Sequence, residues 1–204
     1  MYFIKTVKAF TFDEFIEKKS RFIGYISPCK TIADATEFIE KINKKHYDAS
    51  HNCYAYKVGE YKKFSDNGEP SGTAGMPILD VIEKKGLSDV CIVVTRYFGG
   101  IMLGAGGLVR AYSHAAVLSV EQAEIVEFVP CYKVGIQCDY AMYNSITYIF
   151  PNYRLKILDT QYTENIYIEI IINKEDFDKF DKTITDITNG QANISVVEEL
   201  LENI

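Results

Sequence analysis

Val90-Cys91-Ile92-Val93-Val94-Thr95-Arg96-Tyr97-Phe98-Gly99-Gly100-Ile101-Met102-Leu103-Gly104-Ala105-Gly106-Gly107-Leu108-Val109-Arg110 passes from an unbroken apolar segment, through a stretch holding five glycines, into a second apolar segment. The pattern predicts a buried strand over 90–95, a glycine loop, and a helix from Leu108 to about Glu121. Glycine admits positive φ and lets another backbone or a ligand come close. A helix start presents unpaired N–H groups and partial positive charge. With Arg96 and Arg110 at its two ends, the segment is a candidate anion seat.

Two phosphate-binding patterns are excluded. No Lys-Ser or Lys-Thr follows the glycines, so the segment is not a Walker A loop. Gly104-Ala105-Gly106 has Val109 where a dinucleotide fingerprint needs its third glycine. Two readings remain. In one, the glycines make a tight turn that lets the helix pack closely on a sheet. In the other, Gly99, Gly100, Gly104, Gly106 and Gly107 seat an anion, while Arg96 and Arg110 add charge and Tyr97 and Phe98 add stacking surface.

The chain has 204 residues, 48% of them hydrophobic, enough for one large or two small cores. No apolar run reaches transmembrane length, and Met1-Tyr2-Phe3-Ile4-Lys5 does not open a signal peptide. Five cysteines, with no CxxC spacing, point to buried reduced thiols in a cytoplasmic protein. The net charge of −6 is uneven: residues 1–123 carry +2 and residues 124–204 carry −8. This asymmetry suggests two domains with different partners. The acidic total argues against a nonspecific nucleic-acid coat but allows a local basic site on the first domain.

Before the glycine stretch, strands are expected at 2–9, 21–27, 51–58 and, as a short strand or turn, 61–64. An amphipathic helix is expected over 32–45, with Thr31 and Asp34 as an N-cap pair and Lys41, Lys44 and Lys45 on its exposed side. A short helix is expected at 77–85. After residue 124 the order is strand 125–138, helix 140–150, strands 153–161 and 166–172, a helix capped by Asn173 and stopped at Asn189-Gly190, and strand 194–200. That β-α-β-β-α-β order is the ferredoxin-like pattern. A boundary between 123 and 124 fits both the order and the charge.

Ser65-Asp66-Asn67-Gly68-Glu69-Pro70-Ser71-Gly72-Thr73-Ala74-Gly75 is a polar loop rich in turn residues and a candidate functional loop. Asp66 and Glu69 would either serve as metal ligands or acid and base, or cap turns and pair with an arginine; the second reading is preferred. Ser65, Ser71 and Thr73 support the same loop. His51, His46 and His114 lack metal-ligand spacing to one another or to the cysteines. No nucleophile motif is found. Nothing in the sequence calls for a metal or a cofactor. His51 reads as a hydrogen-bonding residue, structural or in contact with a phosphate.

Taken together, Ser20-Arg21-Phe22-Ile23, His51-Asn52-Cys53-Tyr54-Ala55-Tyr56, the 65–75 loop and Arg96-Tyr97-Phe98-Gly99-Gly100-Ile101-Met102-Leu103-Gly104 resemble the IMPACT family in its bacterial, YigZ-like branch. The resemblance covers about residues 18–116, with no departure in these motifs, and the acidic second half fits the small C-terminal domain of the bacterial members. It implies an α+β protein whose domain 1–123 has the fold of ribosomal protein S5 domain 2 and whose domain 124–204 is ferredoxin-like. That pair is similar in architecture to adjacent domains of elongation factor G. The eukaryotic relatives are translation regulators that compete for a protein activator of a stress kinase. No catalytic residue is carried over.

The leading expectation is therefore a non-catalytic protein that binds RNA or the ribosome through its first domain and regulates translation. Arg96 and Arg110 would contact phosphates, Tyr97 or Phe98 would stack, backbone N–H groups at 104–107 would hold a phosphate, and Glu69 would orient an arginine. A protein partner is expected on the acidic second domain, and none at a membrane. Two alternatives stay open: a phosphate- or nucleotide-using enzyme with Asp66 or Glu69 on Mg²⁺, and a purely protein-binding regulator.

Overall fold

The computed structural model describes residues 3–204, so residue 2 of the strand expected at 2–9 lies outside the described residues. The chain divides into two compact units, Ile4–Val126 and one containing Glu127–Ile204. Both are mixed α+β, each built on an antiparallel sheet.

In the first unit, β1 (Ile4–Val7) is held where Ser88 N–H donates to the Lys5 carbonyl and Lys8 N–H donates to the Glu124 carbonyl. Strands β2 (Thr11–Glu17) and β3 (Ser20–Pro28) form a hairpin that was not expected from the sequence. Its two turn residues, Lys18 and Lys19, have φ of +47° and +65°. Hairpin turns of this kind favour Asn-Gly, and a lysine pair carries no such signal. Helix α1 (Ile32–Lys45) follows, with the expected capping box: Asp34 N–H donates to Thr31 Oγ1 and Thr31 N–H to Asp34 Oδ2. Strands β4 (His51–Val58) and β5 (Tyr61–Ser65) lead to α2 (Gly75–Lys84). Helix α2 starts two residues before Pro77, which costs nothing because first-turn N–H groups have no helical acceptor.

Strand β6 (Val90–Tyr97) lies between β3 and β4 in the order β2-β3-β6-β4-β5. It is covered on both faces, which is why its sequence does not alternate. Val90, Ile92 and Val94 pack with α2 and α3 (Ala105–Glu121), while Cys91 and Val93 pack with α1.

In the second unit β7 (Ile125–Cys138), α4 (Tyr140–Ile149), β8 (Leu155–Tyr162), β9 (Ile166–Asn173), α5 (Lys174–Thr188) and β10 (Asn193–Glu202) follow in that order. The strands pair as β10-β7-β9-β8, all antiparallel. Val134, Ile136, Ile168, Ile170 and Ile172 from the sheet and Ile146, Phe180 and Ile184 from the helices form its core. Asn173 Oδ1 accepts from Glu175 N–H, as its cap role predicts. All five cysteines are free and buried. Among the described residues no helix is long and apolar enough to cross a membrane.

Candidate functional site

Strand β6 runs two residues past the expected end at 95, and α3 begins three residues before the expected Leu108. Arg96 and Tyr97 are therefore strand residues, and Gly106 and Gly107 lie in the first turn of the helix. The connecting loop is only 98–104. Gly104 caps the helix at φ +71°, a backbone setting that suits glycine. Gly99 meets a different requirement: a Cβ there would collide with the Lys19 carbonyl and the Ser20 nitrogen. The hairpin tip and the glycine loop thus press backbone to backbone. Ser20 Oγ accepts from Gly99 N–H at 3.1 Å, and Ser50 Oγ accepts from Phe98 N–H at 3.1 Å.

Arg96 is 5% exposed, so the expected phosphate contact does not fit its position. As a residue of a strand that pairs on both sides, it points its side chain into the layer under α3 rather than out of a loop. Its Nη1 donates to Glu69 Oε1 at 2.6 Å, and its guanidinium lies between the Phe22 and Phe98 rings, 5.5 and 5.4 Å from their centroids. Tyr112 OH donates to the same Glu69 oxygen at 2.8 Å. Burial, with Cys53 and Glu69 close by, holds the Tyr112 phenol far above its usual range, so it remains a donor. The expectation that Glu69 orients an arginine matches this geometry.

His51 Nδ1 lies 2.9 Å from the Asn67 carbonyl and donates to it, and Nε2 lies 3.9 Å from Glu69 Oε1. Asn67 Oδ1 accepts from Asn52 N–H, and Cys53 Sγ donates to the Asp66 carbonyl at 2.9 Å. Burial pushes the Cys53 thiol up to about 12, so it is protonated and unreactive at neutral pH. Asp66 accepts from the N–H groups of Gly72, Ala74 and Gly75 at 2.8–3.0 Å. Burial opposes ionisation and is the largest single influence, but the three bonds together hold the carboxyl below its usual range. Thr73 Oγ1 donates to the Pro70 carbonyl, Ser65 Oγ accepts from Asn67 N–H, and Ser71 is exposed on the loop. The 65–75 loop is thus tied to β4, β6 and α3 through Glu69 and His51.

The solvent side of this assembly differs in character. Phe98 and Ile101 are exposed, and Met102 is 84% exposed. Arg110 is exposed on α3, with its guanidinium folded toward Gly106. Arg96 and Arg110 share no partner: one is internal, the other external. Beside Arg110 lies a cleft of about 330 Å³, lined by Phe15, Lys18 and His114 among others. The sequence reading missed Lys18, because the hairpin carrying it went unread. It also missed a chain in which His46 joins Tyr25 (2.6 Å) to Tyr97 (2.9 Å), and Tyr97 OH donates to Asp48 (3.0 Å). Among the described residues no cluster of His, Cys, Asp or Glu is placed to hold a metal ion.

Residues 18–120 match the Impact N-terminal domain, and residues 136–191 match a domain of unknown function, DUF1949. The IMPACT family member YvyE of Bacillus subtilis is 40% identical over 192 residues, which cover 93% of this chain and 88% of that protein. The IMPACT family member YigZ of Escherichia coli is 31% identical over 89% of this chain and 92% of its own length. Protein IMPACT of Rattus norvegicus is 32% identical over 94 residues, 43% of this chain and 30% of the rat protein. A crystal structure titled only as that of a hypothetical protein superposes with a TM-score of 0.62 at 29% identity, covering 97% of this chain and 98% of that one.

Proposed function

This chain belongs to the IMPACT family, as a bacterial-type member with both domains, and from that premise we propose that it is a non-catalytic protein that contacts RNA or the ribosome and regulates translation. The first unit takes the ribosomal protein S5 domain 2-like fold in this reading, and the second the ferredoxin-like fold, which its strand order β10-β7-β9-β8 favours. A cytoplasmic location follows from the same role. The acidic second domain is repelled by phosphates and takes a protein partner instead.

The observation that carries the reading is the open loop 98–104. It is a glycine-rich turn presenting Phe98 for stacking, with the free N–H groups at the start of α3 and the exposed Arg110 beside it. Arg96 supports the loop from beneath. Asp66 and Glu69 favour binding over phosphoryl transfer, because three backbone N–H groups occupy the first and Arg96 and Tyr112 the second. A protein-binding regulator is the second reading, favoured by the exposed apolar tip Phe98, Ile101 and Met102.

Co-sedimentation with ribosomes and with ribosomal RNA at low and moderate salt tests the proposal. The expected result is salt-sensitive binding that Phe98→Ala with Arg110→Ala abolishes, since released counterions set such a dependence. Absence of binding at low salt overturns it and leaves the protein-binding reading.

A further inference from the structure

We infer that the cleft between the β2–β3 hairpin tip and the first turns of α3 binds the terminal phosphate of a phosphomonoester. It deepens the RNA-contact reading and rests on it for one of two sources of that group, the 5′ end of an RNA; the other is a free mononucleotide.

The cleft holds about 330 Å³, the small end of the range for sites that take small organic groups, roughly 300–1,000 Å³. That volume suits one phosphate with its sugar. Its charge comes from side chains on two separate elements, Lys18 at the hairpin turn and Arg110 on α3. Neither forms an ion pair or a side-chain hydrogen bond among the described residues, unlike Arg96, Arg21 and Lys8, which all have carboxylate partners. Glu17 is the only carboxylate on the lining, so the balance there is positive. The Arg110 guanidinium is folded back along the helix, where a Cβ on Gly106 would lie 3.6 Å from Nη1; glycine leaves that side open. Arginine in such a place offers a phosphate two parallel N–H donors, and lysine adds a point charge.

One wall is aromatic. The Phe15 and His114 rings meet edge to face, centroids 4.6 Å apart, and give the organic part of an ester an aromatic contact. His114 belongs to the same lining. Leu103 and Ala111 add apolar lining. Two cations match the dianion that a monoester carries above its second pKa of about 6, whereas an internal diester carries one charge.

The test uses fluorescence anisotropy with two hexauridylates labelled at the 3′ end, one bearing a 5′ phosphate and one a 5′ hydroxyl, with AMP as competitor. The 5′-phosphorylated probe should bind about tenfold tighter or more, the size of an added charge-assisted pair. Lys18→Ala with Arg110→Ala should erase the difference, and Lys84→Ala with Lys85→Ala, the same loss of charge elsewhere, should preserve it. AMP that displaces the probe, and does so only when Lys18 and Arg110 are present, assigns the cleft to phosphomonoesters generally. Equal affinity for the two probes with no AMP binding overturns the inference. So does a 5′-phosphate preference that survives the Lys18/Arg110 change. If wild-type protein still sediments with ribosomes in either of those cases, the cleft assignment alone has failed and the RNA reading stands.

Discussion

Tyr25 donates its hydroxyl hydrogen to Nε2 of His46 across 2.6 Å, and the direction of that bond is set from outside it. Tyr97 OH must donate to the Asp48 carboxylate, so it accepts from His46 Nδ1–H. Nδ1 therefore carries a hydrogen, and burial, which holds His46 below its usual range, favours the neutral ring at neutral pH and leaves Nε2 to accept. Lys45 Nζ closes the other end by donating to the Tyr25 oxygen at 3.4 Å. The chain pins the C-terminal end of α1 to β3 and β6.

A pH dependence follows. Burial, then the charges of Lys45 and Arg21, hold His46 below its usual range, with Asp48 working the other way. The unfolded chain thus binds the proton more readily than the folded one. The stability held by neutral His46 is complete above the ordinary histidine value of ~6.5 and is lost as pH falls from there through the folded-state value. Melting temperatures measured from about pH 8 down to about pH 5 should fall in the lower part of that range, and His46→Gln should remove the fall. Parallel profiles for the two proteins would refute this assignment.

Glu69 and Arg96 are both withdrawn from water, with side chains 3% and 6% exposed. Removing one partner strands the other. Glu69→Ala should cost about 3–5 kcal/mol in urea unfolding. Glu69→Leu with Arg96→Met should cost less than either single change, because no lone charge is left behind. A loss below about 1 kcal/mol for Glu69→Ala would mean the pair is solvated in solution.

Gly99 and Gly100 separate two reasons for glycine in one loop. At Gly99 a methyl group meets the Lys19 backbone, which has little room to give, and Gly99→Ala should cost about 1–3 kcal/mol. At Gly100 nothing lies within 4 Å, but φ is +83°. Gly100→Ala should cost about 1–2 kcal/mol through backbone strain alone. Gly99→Ala should also weaken the Ser20–Gly99 hydrogen bond, visible as faster amide exchange at Gly99, while Gly100→Ala should leave that amide protected.

The large elements were legible because their signals are local. Strand β6, the Thr31–Asp34 capping box and the Asn173 cap are each decided within a few residues. Strand β2 was not, since its acidic residues and Lys18-Lys19 turn look like solvated coil and only pairing with β3 makes them a strand. The site was half legible. Its two loops were found, and Glu69 was read as the partner of an arginine. The burial of Arg96 depends on Tyr112, 43 positions from Glu69, and on a strand that runs past Thr95. The His46 chain joins residues 21 and 51 positions apart and leaves no spacing to read.

The hairpin turn at Lys18 and Lys19 sets two demands against each other. Both residues hold backbone angles that asparagine and glycine adopt with less strain, so replacing them with Asn-Gly is an open route to a hardier protein. The same replacement strips the cleft beside α3 of its Lys18 charge. With the phosphate site inferred above, selection for robustness and selection for recognition act in opposite directions on the Lys18 codon, and a version of this chain thermostabilised at that turn is expected to bind phosphomonoesters less tightly.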